Sequence, residues 1–290
     1  MKANYMNYFK DKKLYQWDKN SSVYTITDTD IEGEFCLDQQ QMNLFLKFKN
    51  PEITLGATLT VKSGKTKSNI KLTKCELVLP TMEFTSEFKL SIETLKLANN
   101  FVAKNDVRPI LTGVNINNSY VAATDTFTMF KRECKSECNI TIASDFIKEI
   151  SHAKGDINFK VNDKVVCCEV EGTTYIGRVL SGTFPPMIAS LYTNDGVLIK
   201  LKKEDFDILS YSNNKADYFH IEKTKLTLSG ENEIEREIEL NEDIDIWFNA
   251  EKVANVIKSI NSDEIEIRYI GPLKQITIND EILVLPIKRK

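Results

Sequence analysis

The sequence predicts an α+β protein built from three similar domains in tandem, and three observations lead there. Helix-like stretches open at Asp38, Ser144 and Ala250, at the same interval of 106 residues each time (144 − 38 and 250 − 144). Leu44, Ile150 and Val256 sit at the same offset inside those stretches and are all apolar. Each stretch is followed by two or three short strand-like runs. A fixed period marks one architectural unit used repeatedly, and a period this long is domain-sized. The domains read from the pattern are 1–81, 82–190 and 191–290, and a chain of 290 residues has room for three such cores.

In the first domain, residues 1–22 are polar and aromatic and show no organising period; Lys10 to Lys19 would make a poor helix. Val23-Tyr24-Thr25-Ile26-Thr27 has the β-branched and aromatic residues of a strand. Over 37–48, Leu37, Met42, Leu44, Phe45 and Phe48 predict a one-sided helix with Asp38 as its N-cap. Residues 59–79 read as two or three strands turning at Ser63-Gly64.

The pattern restarts after Met82 with a strand at 83–90. An amphipathic helix at 92–103 is carried by Ile92, Leu95, Leu97, Ala98 and Val102. Apolar runs at 109–116 and 120–123 flank Asn117-Asn118-Ser119, whose side chains favour a tight turn, so a hairpin is expected. A helix at 141–153 takes Ser144 as cap and buries Phe146, Ile147 and Ile150; paired strands follow over 157–180. The third domain repeats the order: strand 197–200, short helix 203–211, a hairpin turning through Glu222-Lys223-Thr224, helix 249–260 burying Val253, Val256, Ile257 and Ile260, and closing strands to 286. The first domain has no helix ahead of its strands, unlike the other two, and is expected to be shortened at its N-terminus.

Composition narrows the classes. Apolar residues at 42% and charged residues at 28% are those of an ordinary globular protein. A net charge of −4 gives no global pull on nucleic acid, so a nucleic-acid partner would need a locally basic surface. The N-terminus lacks a signal-peptide core, and no apolar run reaches the roughly 18 residues of a membrane span. Six cysteines without a secretory signal are expected as reduced thiols in the cytoplasm.

A resemblance now adds to this reading. Arg108-Pro109-Ile110-Leu111-Thr112-Gly113-Val114 followed by Val121-Ala122-Ala123-Thr124-Asp125 resembles the middle domain of the bacterial sliding clamp family, the β subunit of DNA polymerase III. Gly182-Thr183-Phe184-Pro185 resembles that family's passage from the middle to the last domain, and Leu283-Val284-Leu285-Pro286-Ile287-Lys288-Arg289 its C-terminal tail. The match holds from about residue 83 onward and weakens before it. The short Lys- and Asn-rich chain hints at a phage or mobile-element version.

The resemblance implies antiparallel sheets outside, helices lining the inside, and a head-to-tail ring homodimer that encircles double-stranded DNA without reading its sequence. Weak phosphate contacts suit sliding. Expected DNA-facing residues are Lys104 and Asn105, with Lys47, Lys96, Lys148 and Lys252; Lys49, Lys154 and Lys258 stand on the same predicted helices. A pocket for short linear motifs of a DNA polymerase and the clamp loader is implied at Leu111, Thr124, Thr126, Phe127, Thr128, Met129, Pro185, Asn249, Leu273, Leu283, Leu285, Pro286 and Ile287. Phe127 and Met129 depart from the Gly-His-Arg run usual there, which points to a different motif preference. The dimer seam is expected at Ile208 and Leu209 against Ile70 and Leu72.

Enzyme readings assemble poorly. His152 and His220 lie in no recognisable motif. Cys134 and Cys138 are spaced too widely for the tight pairs of zinc sites, and the neighbours Cys167 and Cys168 point to opposite faces of a strand. Thr27-Asp28-Thr29-Asp30 reads as a turn, and no phosphate or dinucleotide loop is present. No catalytic residue, metal or cofactor is expected. Two alternatives to the clamp stay open: a monomeric clamp-like protein that sequesters polymerase or loader motifs, and a nuclease using the acidic pairs.

Overall fold

The computed structural model of the chain describes residues 5–18, 23–212 and 214–288. They divide into two compact units, Met1–Glu93 with Ser136–Leu180, and Thr94–Lys135 with Ser181–Lys290. Among the described residues, no helix is long and apolar enough to cross a membrane.

The first unit holds β1 (Tyr5–Lys10), β2 (Lys13–Asp18), β3 (Tyr24–Asp28), β4 (Phe35–Asp38), β5 (Glu52–Leu55), β6 (Thr58–Ser63), β7 (Thr66–Lys71) and β8 (Ser86–Ser91), and later β12 (Ile140–Ala143), β13 (Asp156–Val161), β14 (Val165–Val170) and β15 (Thr173–Arg178), numbered along the chain. Its helices are α1 (Gln39–Phe45) and α3 (Ser144–Glu149). Eight strands join in the order β4-β1-β2-β3-β15-β14-β13-β8, and β5-β6-β7 form a second sheet.

The N-terminal residues correct the expectation of an unorganised segment. β1 and β2 form a hairpin that turns through Asp11 and Lys12, both at positive φ (52° and 57°). Positive φ at both central residues is the type I′ geometry that matches strand twist. Neither residue is a glycine or asparagine, which is why the turn is silent in the sequence. Phe9 of β1 is 1% exposed and stacks on Phe35 with ring centroids 4.6 Å apart.

The helix expected at 37–48 starts where predicted and stops early. Asp38 Oδ1 accepts from the Gln41 N–H (2.9 Å) and Gln41 Oε1 accepts from the Asp38 N–H (2.8 Å), a capping box. Met42 and Phe45 bury in the cluster of Phe9, Phe35, Leu37, Leu59, Val61 and Ile70. Leu44, expected on the same face, is 39% exposed; two residues advance a helix by roughly 200°, which turns Leu44 away from Met42. Ser144 is the first helical residue of α3 rather than its cap; Ala143 occupies the cap position without a side-chain bond. Gly177 of β15 lies under α3 so closely that a Cβ there would sit 2.3 Å from Phe146 Cδ2.

The cysteines also correct an expectation. Cys36 of β4 and Cys75 are joined in a disulfide across 39 residues, while Cys134, Cys138, Cys167 and Cys168 are outside any disulfide. The bridge ties down the connector between β7 and β8, helped by the Thr73 N–H donating to the Cys36 carbonyl (3.0 Å) and the Thr73 hydroxyl donating to Gln41 Oε1 (2.7 Å). Burial pushes the Cys168 thiol up to about 12, so it stays protonated and inert.

The second unit holds β9 (Gly113–Ile116), β10 (Tyr120–Thr124), β11 (Thr128–Glu133), β16 (Val197–Lys202), β17 (Tyr218–Glu222), β18 (Lys225–Ser229), β19 (Glu233–Glu237), β20 (Asp245–Asn249), β21 (Glu264–Tyr269), β22 (Ile276–Ile278) and β23 (Ile282–Val284). Helix α2 (Ile92–Asn99) leads into it and α4 (Ala250–Ser259) lies within it. One sheet runs β9-β10-β11-β23-β22-β21-β16 and another β19-β18-β17-β20. The predicted β9–β10 turn forms as its asparagine dictates: Asn117 Oδ1 accepts from the N–H groups of Ser119 and Tyr120, each at 2.9 Å. Asn249 caps α4 by accepting from the Lys252 N–H (3.1 Å), and Val253, Val256 and Ile257 are buried. The helix packs on the 3₁₀ segment Lys203–Tyr211, whose Phe206, Ile208 and Leu209 are buried.

Two strand pairings cross the intervals of the sequence repeat. β3 pairs with β15 in the first unit, and β11 pairs with β23 in the second. Sheets therefore join residues on both sides of 81/82 and of 190/191. The repeat itself is seen as a helix followed by three strands, at α1 with β5–β7, α3 with β13–β15 and α4 with β21–β23, each helix entered directly from a strand.

Cys75→Ser is expected to lower the stability of the first unit by roughly 2–4 kcal/mol, the usual cost of losing a loop-closing disulfide. Thermal unfolding with and without reductant measures it: wild type should melt lower when reduced, and the variant should be indifferent to reductant.

Candidate functional site

The closing strand of the chain builds the site. β23 lies antiparallel to β11 with Thr128 opposite Val284, Met129 opposite Leu283 and Phe130 opposite Ile282. Two further bonds extend the pairing at its ends, Leu285 N–H to the Phe127 carbonyl (2.9 Å) and Lys131 N–H to the Glu281 carbonyl (2.8 Å). Arg132 adds a two-pronged ion pair to Glu281, with Nε–Oε1 at 2.6 Å and Nη2–Oε2 at 2.7 Å. Tyr192 donates its hydroxyl to the Glu281 carbonyl (2.9 Å), and burial raises its pKa.

Between these strands and the segment after Pro185 lies an apolar cavity of about 170 Å³. It is lined by nine of the residues the resemblance implied: Leu111, Thr124, Thr126, Phe127, Thr128, Met129, Pro185, Leu283 and Leu285. Leu111 and Leu283 form its floor, each at most 1% exposed. Drug-sized ligands occupy roughly 300 Å³ or more, so this space suits one or two apolar side chains.

Four implied residues stand outside the lining. Asn249 is spent on α4: its Oδ1 caps the helix and its Nδ2 donates to the Lys215 carbonyl (2.9 Å). Leu273 is 63% exposed. Pro286 and Ile287 continue past the cavity, where the Ile287 N–H donates to the Trp247 carbonyl (2.8 Å). Sequence reasoning missed Arg108 and Leu191, which also line the cavity. Arg108 opens the run Arg108–Val114, and Leu191 ends the 3₁₀ segment Pro186–Leu191 that Pro185 precedes.

The turn from Asp125 to Thr128 shapes the mouth. Asp125 Oδ1 accepts from the N–H groups of Phe127 (3.0 Å) and Thr128 (2.7 Å) and from the Thr128 hydroxyl (2.9 Å). Asp125 Oδ2 pairs with Lys252 Nζ. Burial opposes ionisation of Asp125, but Lys252 and Thr128 outweigh it and hold the carboxyl below its usual range. Thr126 has φ +77°, a rare conformation for a β-branched residue. Phe127 is left 52% exposed with Lys252 Nζ 5.3 Å from its ring centroid.

The expected DNA-facing residues are dispersed in role. Lys47, Lys96, Lys104 and Asn105 are exposed. Lys148 is exposed and pairs with Asp145 (3.2 Å). Lys252, expected to face DNA, is instead 30% exposed and held by Asp125 beneath Phe127. At the expected seam, Ile208 and Leu209 are 6% exposed and Ile70 is 2% exposed, each in the core of its own unit, and Leu72 packs against the core that holds Ile70.

Both histidines have local partners. His220 stacks on Trp247 (3.8 Å) and bonds Asp245 Oδ1 through Nε2 (2.7 Å); His152 bonds the Glu149 carbonyl through Nδ1 (3.0 Å). Among the described residues, no group of three or more His, Cys, Asp or Glu could hold a metal.

A strand-to-helix repeat, antiparallel sheets that cross the repeat boundaries, and an apolar groove beside the closing strand define a clamp-type fold. No family profile matches the chain. The β sliding clamp of Staphylococcus epidermidis is 24% identical over 261 residues, covering 73% of this chain and 66% of that protein. The chain therefore spans just under two thirds of the curated relatives it matches. The solved β sliding clamp of Caulobacter crescentus superimposes with a TM-score of 0.82 at 15% identity, over 99% of this chain and 91% of that one. The DNA polymerase sliding clamp of Bacillus subtilis gives 0.81 at 18% identity, over 99% and 91%. The chain has the fold of the bacterial sliding clamps, the β subunits of DNA polymerase III, and is similar to them in sequence.

Ile208→Lys is expected to destabilise the second unit by roughly 3 kcal/mol or more, because it buries an unpaired charge. Chemical denaturation measures this; unaltered stability would contradict the burial of Ile208. The depressed Asp125 pKa adds a pH dependence. Its contribution to stability is present above the unfolded value of about 3.9 and is lost as pH falls through the lower folded value. Asp125→Asn should flatten that part of the acid limb.

Proposed function

We propose that the chain is a DNA sliding clamp: a processivity factor that encircles duplex DNA as a homodimeric ring and tethers a DNA polymerase, and in turn a clamp loader, through short linear motifs. The observation that carries this reading is the small apolar cavity between β11, β23 and Pro185 in a chain of clamp fold. An apolar anchor of a peptide would gain roughly 1.5–3 kcal/mol by filling it, and the neighbouring polar groups would fix its direction. No catalysis belongs to this role, and its place is the cytoplasm, with the DNA.

Closure needs a seam, and two edge strands suit one better than Ile208 and Leu209. β7 ends the β5-β6-β7 sheet and β19 ends the β19-β18-β17-β20 sheet. The exposed residues of β7 include Lys67 and Lys71; those of β19 are Glu233, Glu235 and Glu237. Charge on an edge discourages indiscriminate pairing, while edges of opposite sign favour each other. Two copies joined head to tail would match β7 of each to β19 of the other.

Sedimentation tests the seam. Glu233→Lys/Glu235→Lys/Glu237→Lys is expected to be monomeric, as is Lys67→Glu/Lys71→Glu, and mixing the two should restore a dimer because both seams are then complementary. A wild type that stays monomeric at micromolar concentration would instead favour the sequestering protein. Retention on circular but not linear DNA tests encirclement itself, since only topological linkage makes DNA ends matter.

A further inference from the structure

Phe127 separates two cavities. On one side lies the apolar groove; on the other lies a polar cavity of about 470 Å³ that shares Thr126, Phe127 and Thr128 with it. An aromatic ring left half in water is here held in place from several directions. Its N–H is fixed by Asp125, its carbonyl by Leu285, and its face by Lys252. The residue before it carries the unfavourable φ of +77°. Strain and anchoring concentrated on an exposed residue mark a surface that meets a ligand.

The polar cavity adds charge. Lys104, Lys215 and Lys252 line it, with Asp106, Asp125 and Glu251. Two of the three carboxylates are already engaged. Asp106 pairs with Arg108 (3.1 Å), and Asp125 accepts from Phe127, Thr128 and Lys252. Lys104 and Lys215 are exposed and have no ion-pair partner among the described residues. They leave a positive surplus over Glu251 on the far side of Phe127 from the apolar cavity.

We infer that the groove selects an acidic peptide: a linear segment whose apolar anchor enters between Leu111 and Leu283 while a neighbouring carboxylate reaches across Phe127 to Lys215 and Lys104. This rests on reading the groove as a peptide site and names the chemistry of its partner. An extended chain advances about 3.3 Å per residue, and one aromatic ring divides the cavities. The carboxylate therefore falls about one to three residues from the anchor. Phe127 acts as the shelf under the crossing backbone, and Lys252 and Asp125 act as positioning residues for that shelf.

Fluorescence anisotropy with the intact protein tests this. The probes are two labelled peptides with the same apolar anchor, one flanked by Glu and the other by Lys. The Glu peptide is expected to bind roughly tenfold tighter at low salt, the scale of a few exposed charge contacts, and high salt should shrink the difference. In Lys104→Met/Lys215→Met the two peptides should bind alike. Equal binding to the wild type would overturn the acidic preference and leave the groove standing. Failure of both peptides to bind would overturn the groove itself. Loss of DNA retention in the double variant, with the Glu preference intact, would assign the two lysines to DNA and overturn the inference.

Discussion

Everything at the candidate site depends on the pairing of β11 with β23. Three residue pairs and two flanking backbone bonds draw a strand from the end of the chain onto a hairpin about 150 residues earlier, at an offset set by Met129 opposite Leu283. The pairing puts Leu283 and Leu285 beside the turn that carries Phe127, which no local property of either segment could do. A one-residue slip would send Leu283 to the opposite face and fill the floor of the cavity with a neighbour. Arg132, Glu281 and Tyr192 lock the pairing at one end through an ion pair and hydroxyl bonds. The groove is a by-product of a sheet that had to close.

The same rule explains why compact units and sequence intervals differ. Periodicity reports what neighbouring residues do, and it correctly locates a helix followed by strands three times. It is blind to which strands pair. The pairings of β3 with β15 and β11 with β23 carry hydrogen bonds across the intervals, so the residues between 82 and 190 are shared between two sheets. Long-range pairing follows from burial and register, and both are properties of the folded chain.

Where local chemistry decides, the sequence was legible. Asp38 and Asn117 each carry a side-chain oxygen aimed at nearby backbone N–H groups, and each does in the structure what its residue type dictates. Where tertiary context decides, it was not. Asp11 and Lys12 adopt positive φ because the strands on both sides demand it. Ile208 and Leu209, which the resemblance placed at a seam, are buried in their own chain. Nine groove residues were readable because the resemblance supplied the long-range pairing that residue patterns could not; Leu191 was not, since nothing in its neighbourhood marks it.

The perturbed groups show what the molecule invests in. Cys168 and Tyr192 are pushed up by burial, and Asp125 is held down by Lys252 and Thr128 despite burial. Cys168 packs in a strand, Tyr192 pins the closing strand, and Asp125 fixes a turn. A site meant to move protons would leave such a group facing a substrate. Here Asp125 is saturated by four donors, and its effect passes to the ring of Phe127. Those four bonds offset the positive φ of Thr126 and hold the ring of Phe127 exposed. The groups around that ring hold its shape rather than its charge state, which suits the docking role proposed for the groove.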